Sequence, residues 1–142
     1  MSIAKLASSP IADEKHADAV LEVAFLMSAV DGYLADEELA AFRELLPLLR
    51  GRPANEGEVD ALLGRFVMGV HGSGAEARLR EVAAAVPADL RETAFKVAVG
   101  LSLVDDDTDE SEYELVALLA SALDVKDRAV ALAADARAAL AG

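Results

Sequence analysis

The chain has no cysteine and no tryptophan, and aromatic residues are only 4% of its 142 positions. Without cysteine there are no disulfides, thiolate metal ligands or thiol nucleophiles, and a reducing compartment is a natural setting. Basic residues are also scarce, 13 against 26 acids, for a formal net charge of −13. Such a surface repels phosphate backbones and anionic lipid, so neither nucleic acid nor a membrane surface is an expected partner. Long apolar runs are missing too. The longest, near Ala94 to Val104, is interrupted by Lys96 and is too short to span a bilayer. Met1 to Pro10 lacks the sustained apolar stretch of a signal peptide. The expectation is a soluble, cytoplasmic protein with no membrane insertion.

What is present is alanine, leucine and acid, a composition that favours helix over strand. A length of 142 residues fits a single domain with one core. Periodicity and punctuation predict seven helices. The first spans about Ile11 to Val30. The second starts near Asp36 and should end or kink at Pro47, because proline lacks the helical N–H. The third follows Asn55, which has capping-box spacing to Glu58, and Gly72 marks its end. Ser73 and Glu76 have the same spacing for a fourth helix ending before Pro87. Asp89 and Glu92 are placed to cap a fifth, reaching Val104. The sixth follows Asp109, and a seventh runs from about Lys126 to Leu140.

Val20 to Met27 and Phe95 to Leu103 are apolar on nearly every face, which marks helices one and five as central. These two helices also align. An offset of 74 residues lays Asp31 on Asp105, Val23 on Val97, Ala24 on Ala98, Ser28 on Ser102 and Val30 on Val104. The same register continues past the loop, with Glu38 on Glu112 and Leu45 on Leu119. The reading is two three-helix repeats, about residues 11–72 and 88–140, joined by a linking helix at about 74–85. Glu22 falls opposite Lys96 in this alignment, so the two are expected to pair if the central helices cross there.

The repeats share an acidic loop after the central helix. The first runs from Asp31-Gly32 to Glu38, and the second from Asp105 to Glu112. Seven of the ten residues from Asp105 to Glu114 are acids. Two readings stand side by side. In one, these residues are caps and solvated faces, since acids complement a helix N-terminus. In the other, the carboxylates hold a hard divalent cation (calcium, magnesium or manganese) that relieves their mutual repulsion. The candidate ligands are Asp31, Glu38, Asp105, Asp107, Asp109 and Glu112. An EF-hand is excluded, because the sixth loop position is Glu110 rather than glycine and the twelfth is Val116 rather than glutamate.

Ala29-Val30-Asp31-Gly32 followed by Glu38, and Val104-Asp105 followed by Glu112, resemble the TerB-like family of helical domains, named for bacterial tellurite-resistance proteins. The resemblance covers roughly Ala17 to Leu140. It implies a multihelical fold of two three-helix repeats about two central helices, an acidic metal-associated surface and a link to stress-response complexes. It points to Asp31, Glu38, Asp105 and Glu112. Asp106 departs from the pattern where glycine is expected, and so does Ala35 where a serine or threonine cap is usual.

Other chemistry finds little footing. His16 and His71 lack metal-ligand spacing. Gly72-Ser73-Gly74 lacks the lysine of a phosphate loop. Ser28 and Ser102 lie in apolar helices with no assignable base, and read as hydroxyls bonded to backbone. No enzyme is expected. The function classes that remain are a cation-binding accessory or sensor domain, and a module that docks a basic protein surface without metal.

Overall fold

A computed structural model describes residue 11 and residues 13–30, 36–103 and 110–141. Among them are seven α-helices and no strand: α1 (Glu14–Val30), α2 (Asp36–Arg50), α3 (Glu56–Ser73), α4 (Ala75–Ala85), α5 (Arg91–Leu103), α6 (Glu110–Ala122) and α7 (Ala129–Ala141). The all-α, multihelical architecture is the one the sequence predicts.

The two helices with segments apolar on nearly every face are the central ones. On α1, residues 20–27 are all buried, and on α5 residues 94, 95 and 97–101 are buried. Over these spans each helix is covered on several sides, and solvent reaches mainly their N-terminal turns. The α1–α5 packing is the most extensive in the molecule, followed by α1–α4 and α5–α7. Helix α4 therefore covers α1 more than α3 does, and α7 covers α5. Three of the phenylalanines meet in the core. Phe66 of α3 lies 5.5 Å from Phe25 of α1 and 6.0 Å, edge-on, from Phe42 of α2. Such tilted and edge contacts add to area burial.

Helix ends correct several expectations. Asn55 caps α3 as expected, its Oδ1 accepting from the Glu58 N–H at 2.9 Å. Pro47, however, lies inside α2, which continues to Arg50. Proline deprives only the carbonyl four residues back, at Arg43, and Arg43 is exposed. Leu45, Leu46 and Leu49 are fully buried and hold the last turn. Gly51, at φ 75°, then closes the helix, and the Arg52 N–H donates to the Pro47 carbonyl.

Gly72 does not end α3, and Ser73 is its last residue rather than a cap. The corner is Gly74, at φ 84° and ψ 150°. Its N–H donates to Val70 and its carbonyl accepts from Arg78, so one residue ends α3 and starts α4. Only glycine adopts that backbone without strain. Two 3-10 turns lead into helices, Ala88–Leu90 before α5 and Lys126–Arg128 before α7. No side-chain cap supports either turn, so Asp89 is not the capping residue expected for α5. Among the described residues, no helix is long and apolar enough to cross a membrane.

Candidate functional site

Of the candidate cation ligands, Asp31, Asp105, Asp107 and Asp109 lie outside the described residues. Glu38 and Glu112 each occupy the third residue of a helix, α2 and α6 respectively, with side chains outside the description. The hydroxyls of Ser28 and Ser102 also lie outside it. Among the described residues, no three acids or histidines form a group able to hold a metal ion. His16 lies 3.9 Å from Asp13 on the exposed start of α1, and His71 is exposed on α3.

The described polar chemistry gathers instead along one edge of α1. Glu14, Asp18 and Glu22 recur every four residues, which puts them on one stripe of the helix. Each carboxylate meets arginines from elsewhere in the chain. Glu14 accepts from Nε of Arg52. Asp18 accepts from Nε and a terminal nitrogen of Arg50 at 3.0 and 3.1 Å, and from Arg65 at 3.4 Å. Glu22 accepts from Nε and a terminal nitrogen of Arg78 at 2.7 and 3.1 Å. Glu58 on α3 joins the set by accepting from both Arg50 and Arg52.

Glu22 is the deepest member, 7% exposed, and is the buried charged residue of the described core. A buried carboxylate needs a partner that fills both oxygens, and the planar guanidinium fork does so. The pair corrects the expectation that Glu22 meets Lys96, since among the described residues no ion pair joins those two. Lys96 would offer a single ammonium, whereas Arg78 approaches from α4, the helix packed most closely on α1 after α5. Gly69 of α3 makes room. A Cβ there would stand 3.0 Å from Nε of Arg78 and 3.4 Å from a Glu22 oxygen.

The electrostatics follow from these bonds. The Glu22 carboxylate raises the Arg78 pKa above its ordinary value, against the opposing effect of partial burial. The hydrogen bond from Arg52 lowers that of Glu14. Beside the Glu22 pair, α1, α3 and α4 leave an open cleft of about 270 Å3, with Lys15, Asp18, Glu22, Arg65, Arg78 and Glu81 among its walls. Its buried carboxylates are already held by guanidinium groups, which stay charged across the physiological range. The arrangement clamps four helices together, with α1 held to α2 through Arg50, to α3 through Arg65 and to α4 through Arg78.

Sequence reasoning missed this network. The carboxylate spacing on α1 was a usable signal, but the arginines lie 32 to 56 residues away from Asp18 and Glu22 and carry no pattern of their own. No family model, no curated protein and no solved structure matches the chain.

Proposed function

We propose that the protein is a non-catalytic, acidic TerB-like helical domain that binds a divalent cation and serves as a cytoplasmic accessory or sensor in a stress response of the tellurite-resistance type. The observation that carries this reading is a charge imbalance along the chain. Between Val97 and Val125 there are eight acids and no base. A dense carboxylate segment without local cations is matched by a hard divalent ion, for which all-oxygen donors are the natural set. Glu38 and Glu112 start their helices at equivalent positions, which supports treating both loops as parts of one design. Asp31, Glu38, Asp105, Asp107, Asp109 and Glu112 are the proposed ligands, and calcium, magnesium and manganese the candidate ions.

The test is a titration of chelator-stripped protein with calcium, magnesium, manganese and zinc, read by melting temperature and binding heat. A cation that binds only the folded state adds about 2.7 kcal/mol of stability at a hundredfold excess over Kd. The combined substitution of Asp31, Glu38, Asp105 and Glu112 by their amides should abolish that rise. No shift with any cation at millimolar concentration would overturn the proposal.

A second reading is a metal-free module docking a basic protein surface. It is supported by the net charge of −13, which suits a basic partner surface without any metal. The described exposed acids, such as Glu44, Asp60 and Asp135, are spread over separate helices. Capture of a basic partner that is lost at high salt, with no cation dependence, would favour it.

A further inference from the structure

The last helix has an unusual outer face. Helix α7 lies on the outside of the bundle, against α5 and, less extensively, α6. Leu132 and Ala136 are buried on its inner side, and Ala129, Ala133 and Ala139 are partly buried. Its outer side carries Asp127 from the preceding turn, then Val130, Ala134 and Arg137, and all four are exposed. Their spacing of three, four and three residues is that of a coiled-coil seam, a single stripe along the helix. Val130 is 87% exposed, more than any other large hydrophobic residue described.

The charges at the two ends of this stripe are free. Among the described residues, neither Asp127 nor Arg137 has an ion pair, and Arg137 is the one arginine of which that is true. Neighbouring Arg128, by contrast, reaches Glu92 at 3.4 Å.

We infer that α7 is the contact helix of an antiparallel homodimer, with a second copy of this chain seated on the Asp127–Val130–Ala134–Arg137 stripe. The stripe is self-complementary about a twofold axis near Leu132. That axis sets Val130 against the partner's Ala134, and Ala134 against the partner's Val130. It sets Asp127 against the partner's Arg137, and Arg137 against the partner's Asp127. Two opposite-charge pairs then bracket two apolar layers, as an isologous interface requires. A parallel arrangement would instead oppose Asp127 to Asp127 and Arg137 to Arg137, so the charges select the orientation. Alanine and valine let the helices approach at the close end of the usual 8–10 Å range. A seam of one short helix is small, and each copy carries a net charge of −13. The dimer is therefore a weak, concentration-dependent one.

Sedimentation equilibrium of the whole chain, from about 1 µM to about 1 mM at physiological ionic strength, tests this. The expected result is a reversible monomer–dimer equilibrium within that range. R137D and D127R should each weaken association about tenfold or more, and D127R/R137D together should restore it to within about threefold of the parent. All the substituted positions are exposed, so circular dichroism and melting temperature should be unchanged. Should a charge variant unfold, A134E replaces it. It places a carboxylate against the partner's Val130 and should give the same tenfold loss. A monomer at every concentration would overturn the inference. So would a dimer indifferent to R137D or A134E, or a loss that the double exchange fails to recover in folded protein.

Discussion

Glu22 on α1 and Arg78 on α4 are joined by two hydrogen bonds, 2.7 and 3.1 Å long, at the point where the central helix carries a charge into the core. The Glu22 side chain is 10% exposed and the Arg78 side chain 34%. The partners therefore differ in what each suffers when left alone. In E22Q, Arg78 still reaches Glu81 at 3.1 Å and has access to water. In R78M, Glu22 keeps its burial without its counter-charge. Breaking a fully buried pair costs about 3–5 kcal/mol, and one partner here is part-exposed, so R78M should cost about 2–3 kcal/mol and E22Q about half that. Urea unfolding midpoints should rank parent, E22Q, R78M. Equal losses would mean that the pair is no better buried than a surface bridge.

Two glycines of α3 should respond oppositely to alanine. Gly64 has nothing within 4 Å of an added Cβ, so G64A should stabilise by the helix-propensity gain of about 0.5–1 kcal/mol. Gly69 faces Arg78 at 3.0 Å, so G69A makes the guanidinium give by a few tenths of an ångström against its two bonds to Glu22. Its propensity gain is then spent on a disturbed ion pair, and a net loss of about 1 kcal/mol is expected. Chemical denaturation of both variants measures the sign. A stabilised G69A would show that Arg78 can move aside freely.

The α3–α4 corner should tolerate glycine alone. Gly74 stands at φ 84° and ψ 150°, a conformation that costs a side-chain-bearing residue about 1–3 kcal/mol. G74A should therefore lower the melting temperature although nothing lies within 4 Å of its Cβ. Asp124, at φ 59°, is the reverse case. It closes α6 in the left-handed region, where its neighbour Val125 donates to the Ala120 carbonyl. D124G should stabilise by about 0.5–1 kcal/mol, because its 3.9 Å approach to Arg91 is long and exposed.

Acid unfolding should carry a contribution from Glu14. The bond from Arg52 lowers its folded pKa below the ordinary 4.5, the value kept in the unfolded chain. The folded state then binds this proton less readily than the unfolded state. The bond's contribution is present above the unfolded pKa and is lost as pH falls through the lower, folded one. E14Q should remove that part of the acid limb, giving a shallower fall in stability below about pH 5 than the parent shows. The effect is small, since the pair lies in solvent and is screened by salt. An unchanged acid limb at low ionic strength would show that the bond contributes nothing.

The acidic, alanine- and leucine-rich sequence by itself determined the helices, their order and which two are central. Helix is a local property of spacing and composition, and a segment apolar on nearly every side, as at 20–27 and 94–101, has nowhere stable but the middle. The Asn55 cap was equally legible, because donor and acceptor lie three residues apart. Only the tertiary structure decided that α4 packs more extensively on α1 than α3 does. It also decided that Glu22 takes Arg78 rather than Lys96, and that Pro47 stays helical because buried leucines outweigh one lost hydrogen bond. These depend on residues up to 56 positions apart, and no local periodicity encodes which distant arginine reaches a carboxylate. The outer face of α7 lies between the two cases. Its three-and-four spacing is written in the sequence, but that Asp127, Val130, Ala134 and Arg137 face outward follows only from which side of α7 packs on α5.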